Sequence, residues 1–310
     1  MTSRVTCVVG ATASGKSAVA DLVAERLGTS VISVDAMQVY RGMDIGTAKT
    51  PVAARRVPLL MVDVVDVTED YSVQRFQHGA RAYADDLVAH GRIPVLCGGT
   101  GLYLDAVIDE MTFPTGMRGT KTREQYERLA TTIGPRGLWE LLRDRDEASA
   151  ALIHPNNVRR VVRALELSDE GVSYAENHKG LLDRAPHYDA TLWGLSWDRQ
   201  VLYRRIERRV DEMFEGGLVD EVRALLGRGL ADNSTASQAI GYKEVMTALD
   251  GRCSMEEARE EIKARSRRYA KRQLSWLRRD GRVRWIDMGT TSAEEAVDLI
   301  VESALEESMR

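Results

Sequence analysis

No apolar run in this 310-residue chain approaches the ~18 residues that a membrane-crossing helix requires. Cysteine is scarce. Three residues cannot form a disulfide framework, and Cys7 and Cys97 lie inside apolar runs that suit small buried thiols. The five histidines show neither the H-E-x-x-H spacing nor any pairing with cysteine, which removes the usual zinc arrangements. Internal repeats and low-complexity tracts are also lacking. A strand-like run and a glycine-rich loop occupy the first residues, so no signal peptide is expected, and a cytoplasmic, monomeric protein is the expectation.

What the chain does have is 44% hydrophobic residues, enough to fill the core of one large domain or two ordinary ones. Its net charge of -4 conceals a strong asymmetry. Residues 263–284, "KARSRRYAKRQLSWLRRDGRVR", hold ten Lys/Arg against one acid, so about +9 here opposes about -13 elsewhere. Such a segment marks one surface for a polyanion.

The first hundred residues alternate apolar strands with helices: "RVTCVVG", a helix over 16–27, "SVISVD", "LLMVDVVDV", a helix over 73–90, and "IPVLCGG". Apolar strands alternating with helices describe a parallel sheet covered on both faces, in which ligands bind at the carboxyl ends of the strands. Residues 111–189 read as a helical insertion broken by "GPRG" and "HPNN". "ATLWGLSW" then returns to the sheet, followed by helices and a last strand, "RVRWIDM". The expected architecture is therefore an α/β P-loop NTPase-like core of residues 1–110 and 190–310, with a mostly helical inserted domain over 111–189.

At the carboxyl end of the first strand stands "GATASGKS", the G-x-x-x-x-G-K-S phosphate loop formed by Gly10, Ala11, Thr12, Ala13, Ser14, Gly15, Lys16 and Ser17. Its backbone N–H groups, the Lys16 charge and the start of the following helix all favour an anion, and the Ser17 hydroxyl suits a phosphate-bound magnesium. Magnesium is thus the one metal expected. The loop by itself does not separate the phosphates of a nucleotide from a free diphosphate ester, because both offer the same oxygens to the same amides. Asp35 ends the second strand and is placed either to take a proton from an acceptor or to cap the turn that follows.

Six blocks run along the chain, "GATASGKS", "SVDAMQVYRGMDIGTAK" at 33–49, "GGTGLYL" at 98–104, "HPNNVRRVVRALE" at 154–166, "QAIGYKE" at 238–244 and "RYAKRQLSWLR" at 268–278. Together and in this order they resemble the tRNA dimethylallyltransferases. The resemblance implies a phosphate loop that holds dimethylallyl diphosphate, and transfer of its five-carbon group to the exocyclic N6 of the adenosine 3′-adjacent to the anticodon. Asp35 would be the general base, Lys16 and the loop would hold the leaving diphosphate, and Thr100 would hydrogen-bond beside the reacting centre. An arginine from a later helix would clamp the diphosphate. In "DRQVLYRRIERRVDEMF" the apolar stripe Leu202, Ile206, Val210 and Met213 puts Arg209 at its edge, Arg205 a little farther round, and Arg204 and Arg208 opposite, and Arg209 is also the position that the resemblance matches to the family's arginine.

The same resemblance implies tRNA contacts at Asp35, Ala36, Met37 and Gln38, at Thr100, at Arg123, at Arg159, Arg160, Val161, Val162 and Arg163, and at Gln238, Ala239, Ile240, Gly241, Tyr242 and Lys243. Periodicity adds a helix over 255–279 with one inward stripe flanked by lysines and arginines. Ala36 where serine is common, Thr50 before Pro51, and "VPLLMVD" without histidines depart from the family pattern but remove none of these groups. A small-molecule kinase would leave the basic helix and GGT block without a role. An adenylate isopentenyltransferase would need no polyanion surface, and a non-catalytic RNA-binding protein would not need Lys16, Ser17, Asp35 and Thr100 together.

Overall fold

The computed structural model describes residues 3–113, 121–177 and 185–308. Two compact units divide the chain: Met1–Asp109 with Pro186–Arg310, and Glu110–Ala185.

The larger unit is built on one six-stranded parallel sheet. In chain order its first half comprises β1 (Arg4–Gly10), α1 (Lys16–Arg26), β2 (Val31–Val34), β3 (Leu59–Leu60), α2 (Val73–Ala89), β4 (Val95–Gly98) and α3 (Gly101–Ile108). The strands lie in the order β3-β2-β4-β1 and continue with two later strands described below. Side-chain alternation feeds two cores. Val5, Cys7 and Val9 of β1 enter one, together with Ile32, Val34 and Leu96, while Val8 enters the other beside Val31, Val95 and Cys97. The run 59–67 forms a strand over two residues only, because Met61 (φ 59°) and Asp63 (φ 56°) take left-handed backbone that a strand cannot continue through.

The second unit contains α4 (Lys121–Arg145), α5 (Glu147–Leu152) and α6 (Val158–Asp169). Gly134 (φ 75°) and Pro135 kink α4 at the "GPRG" stretch. Its core gathers Tyr126, Leu138 and Leu142 of α4 against Val161, Val162 and Leu165 of α6.

The chain then returns to the larger unit as β5 (Asp189–Ser196), α7 (Arg199–Glu215), α8 (Leu218–Leu226), α9 (Tyr242–Leu249), α10 (Met255–Leu277), β6 (Val283–Asp287) and α11 (Ala293–Ser308). β5 pairs in parallel with β1 and β6 with β5, completing the order β3-β2-β4-β1-β5-β6. The long helix α10 is started by a capping box, with Ser254 Oγ accepting from Glu257 N at 3.2 Å and the Glu257 carboxylate accepting from Ser254 N at 2.7 Å. Its inward residues Ile262, Ala270, Gln273 and Leu277 are buried, which accounts for the apolar stripe.

Candidate functional site

Parallel register brings three chain segments to one edge of the sheet. Val9 stands opposite Gly98, and Gly98 opposite Val34, so the phosphate loop after β1, Asp35 after β2 and the Gly98–Thr100 turn after β4 converge. Between them opens a cleft of ≈ 700 Å³, part of it open to solvent, lined by Thr12, Lys16, Ser17, Asp35, Gln38, Cys97, Arg209, Tyr269 and Gln273, among others.

The phosphate loop owes its shape to two left-handed residues, Ala13 (φ 62°) and Gly15 (φ 93°), and its end is the start of α1. Side chains from other elements brace it. Gln273 Oε1 of α10 accepts from Thr12 N at 2.8 Å, and Arg209 Nη1 of α7 donates to Thr12 Oγ1 at 3.0 Å. Arg205 Nε donates to Ala13 O at 2.9 Å with its guanidinium 4.5 Å over the Trp197 ring, and Trp197 Nε1 donates to Ser14 O at 2.9 Å. Arg209, at the edge of the α7 stripe, lines the cleft, and Arg205 holds the loop from behind.

Lys16 Nζ donates to Ala11 O at 3.3 Å and makes no ion pair among the described residues. Both Lys16 and Arg209 keep some surface toward the cleft, but the protein packed around them removes most of the water that would solvate their charges. Desolvation holds both below their usual pKa; the Arg209 charge lowers Lys16 further, and Asp35 partly relieves each. Two poorly solvated cations facing one carboxylate form a site short of negative charge, which an anion would complete.

Asp35 caps the turn that follows it. Its Oδ1 accepts from Met37 N at 2.8 Å and Gln38 N at 3.3 Å, which fixes the carboxylate as the cap of a turn. Among the described residues Oδ2 takes no hydrogen bond, so a fixed carboxylate offers a spare acceptor to the cleft. Thr100 Oγ1 lies 3.4 Å from the Tyr269 hydroxyl, whose pKa is pushed up to about 12 by burial and by the nearby Asp35 charge. Cys97 at the cleft floor is likewise raised to about 11 by burial, against the pull of Lys16, so it stays a thiol.

The GGT block is glycine because neighbours occupy the space. A Cβ on Gly98 would stand 2.1 Å from Val34 O, one on Gly99 2.3 Å from Gln273 Nε2 and 2.6 Å from Gly10 O, and one on Gly101 2.2 Å from the Trp276 ring. Gln273 and Tyr269 were not singled out as site residues from the sequence. A glutamine on the inward stripe of an otherwise apolar helix face was the available signal, since a buried amide needs partners. Gln273 finds them in Thr12 N and, through Nε2, in Gly99 O at 2.9 Å.

For magnesium the chain offers little of its own. No cluster of three His, Cys, Asp or Glu able to hold a metal exists among the described residues. The Ser17 hydroxyl at the cleft is a suitable single donor, so a metal here fits only as a companion of bound phosphate oxygens.

The expected tRNA-facing residues divide by exposure. Arg159 and Arg160 are exposed, Arg163 pairs with Glu166 at 3.6 Å, and Arg123 pairs with Glu127 at 3.1 Å and Glu166 at 3.5 Å. Ala36, Met37, Gln38, Gln238, Ile240 and Lys243 keep partial exposure, with Lys243 Nζ donating to Gln238 Oε1 at 2.9 Å. At five positions of the set the residue is buried: Val161 and Val162 lie in the helical unit's core, and Ala239, Gly241 and Tyr242 are buried in the larger unit.

Part of the basic helix's charge is neutralised within the fold. Although its own stretch lacks acids, neighbouring elements and its first turns supply them: Lys263 meets Asp211 at 2.8 Å, Arg267 meets Glu207 at 2.5 Å, Arg268 meets Glu261 at 2.6 Å, and Arg265 meets Glu244. Lys271, Arg272, Arg278 and Arg279 are exposed and make no ion pair among the described residues. The free positive charge is thus concentrated at the C-terminal half.

The fold and site together define an α/β protein with a P-loop-like core, whose strand-end cleft is arranged to bind a phosphorylated anion beside a fixed carboxylate. The IPP transferase family model matches residues 38–280, and the isopentenyl transferase model matches residues 3–55. The tRNA dimethylallyltransferase of Geobacillus thermodenitrificans is 47% identical over 290 residues, covering 93% of this chain and 91% of that protein. The crystal structure of a full-length tRNA isopentenylpyrophosphate transferase from Bacillus halodurans is 41% identical, with a TM-score of 0.71, covering 99% of this chain and 98% of that one. A eukaryotic dimethylallyltransferase, caught in crystallographic snapshots acting on tRNA, is 26% identical with a TM-score of 0.79, covering 98% of this chain and 83% of that one. The chain belongs to the tRNA dimethylallyltransferase family. Among the described residues no helix is long and apolar enough to cross a membrane.

Proposed function

We propose that this protein transfers the dimethylallyl group of dimethylallyl diphosphate to the exocyclic N6 of the adenosine 3′-adjacent to the anticodon of tRNA, releasing diphosphate. The observation that carries the reading is the cleft itself, where Lys16 and Arg209, both short of solvation, face the capped carboxylate of Asp35. The adenine amino group is a weak nucleophile because its lone pair is delocalised into the ring. Its nitrogen attacks C1 of the prenyl group as the C1–O bond to diphosphate breaks, and Asp35 Oδ2 accepts the amine proton. Lys16, Arg209 and the loop amides stabilise the negative charge that grows on the departing diphosphate. The Ser17 hydroxyl would help hold magnesium beside the diphosphate, where the metal would supply further charge neutralisation. The adenosine reaches the cleft by turning out of the anticodon-loop stack, and Lys271, Arg272, Arg278 and Arg279 supply unpaired positive charge for the RNA backbone.

Incubation of the protein with magnesium, dimethylallyl diphosphate and unmodified tRNA tests this directly. One five-carbon group on a single adenosine is the expected product. Prenylation of free adenylate in place of tRNA, or phosphate transfer from ATP without prenylation, would overturn it.

A further inference from the structure

Behind the cleft, Glu221 of α8 makes an unusual set of contacts. Its carboxylate accepts from three consecutive backbone amides, Asp44 N at 3.1 Å, Ile45 N at 2.8 Å and Gly46 N at 3.3 Å. Successive N–H groups aimed at one point form a concavity that suits an anion, and here the protein fills it with its own carboxylate. The buried Tyr242, first residue of α9, donates its hydroxyl to Glu221 Oε1 at 2.5 Å. Burial and the adjacent carboxylate push the Tyr242 phenol far above its usual range, so it stays the donor. Its ring also closes over residue 46, where a Cβ would stand 2.4 Å from Tyr242 Cε2, so only glycine fits.

The held segment leads into the cleft wall. Thr47 and Ala48 line the cleft, and Thr47 O accepts from Gln38 Nε2 at 3.1 Å. Gln38 is fixed at its other end by Ser33 Oγ, which donates to Gln38 Oε1 at 2.7 Å, and its backbone N–H is one of the two that cap Asp35. A continuous path therefore runs from Tyr242 through Glu221, residues 44–47 and Gln38 to the carboxylate. The phosphate loop lies on a separate support made by Gln273, Arg209, Arg205 and Trp197.

We propose that Glu221 and Tyr242 are positioning residues that orient Asp35 through residues 44–47 and Gln38, and so set the proton-accepting step without touching either substrate. The inference rests on the transfer reaction proposed above. The role is one that the burial of Tyr242 permits.

Glu221→Gln presents an N–H₂ group or one fewer acceptor to the three amides, and Tyr242→Phe keeps the ring over Gly46 while removing the hydroxyl. Single-turnover transfer to tRNA should slow about ten-fold or more in Glu221→Gln and about three-fold or more in Tyr242→Phe, in line with losing charge-assisted hydrogen bonds at a catalytic support. Affinity for inorganic pyrophosphate, measured by calorimetry, should stay within about two-fold of the unaltered protein, because the phosphate loop has its own braces. In an Asp35→Asn background, adding Glu221→Gln should cause little further loss, since the group being positioned is already gone. A lower melting temperature with an unchanged transfer rate would overturn the proposal, as would a parallel fall in pyrophosphate affinity or full additivity with Asp35→Asn. If Glu221→Gln does not fold, Tyr242→Phe decides the matter by the same three measurements. The unaltered protein assayed alongside separates the two claims: its failure to prenylate tRNA removes the proposed function, whereas variants that match an active parent remove only the positioning role.

Discussion

Replacing Asp35 by asparagine removes the proton acceptor while leaving the turn it caps in place. Asparagine keeps Oδ1, so the hydrogen bonds from Met37 N at 2.8 Å and Gln38 N at 3.3 Å can persist and the turn can hold its shape. What changes is Oδ2, where an amide N–H₂ replaces an oxygen able to take a proton. Removing a positioned general base typically costs ~10²–10⁴ in rate, equivalent to about 3–5 kcal/mol of transition-state stabilisation. The charge change has a second consequence. Asp35 is one of the groups that raise Lys16 against its desolvation, so the variant's Lys16 should lose its proton at a lower pH than in the parent. Diphosphate binding needs the ammonium form. It should therefore fade as pH rises through the depressed Lys16 pKa, and fade earlier in Asp35→Asn than in the parent. Quench-flow measurement of single-turnover prenylation gives the rate, and pyrophosphate titrations at a series of alkaline pH values give the binding profile. A variant that transfers at the parental rate would refute Asp35 as base, and an unmoved alkaline limit of pyrophosphate binding would refute the coupling to Lys16.

Three further outcomes follow from the same geometry. Lys16→Met should abolish pyrophosphate binding in calorimetry yet leave the melting temperature unchanged or higher in the absence of ligand, because it removes a poorly solvated charge with no ion-pair partner among the described residues. Gly99→Ala should lower thermal stability by about 1–3 kcal/mol and suppress transfer, since its Cβ would press on Gly10 O and the Gln273 amide, the two sides of the phosphate-loop support. Charge reversal at Lys271 and Arg279 should weaken tRNA binding and reduce the slope of log affinity against log salt by about 1 for each phosphate left without its cation. Arg267→Ala, at a position already neutralised by Glu207, should leave that slope unchanged in the same filter-binding titration.

Legibility in the sequence followed the reach of each interaction. The phosphate loop, Asp35 and the GGT turn could be read because each lies at a strand end, where the parallel sheet forces ligand-binding loops onto one edge. Arg209 could be read because helical periodicity places it beside an apolar stripe, and its bond to Thr12 is what that edge position allows. The strand expected over 59–67 shrinks to Leu59–Leu60 because left-handed backbone at Met61 and Asp63 interrupts it, and neither residue type announces that conformation. Pairing across the fold was equally hidden. Residues 263–268 look like free cations in a local stretch, and only packing brings Asp211, Glu207 and Glu244 to them from other helices. That cancellation sharpens the function of α10. Its N-terminal half spends its charge within the fold, its inward Gln273 joins the phosphate loop to the GGT turn, and the free cations Lys271 and Arg272 stand within one turn of that glutamine. Under the proposed function, a polyanion bound to those cations would act on the same helix that braces the phosphate loop through Gln273.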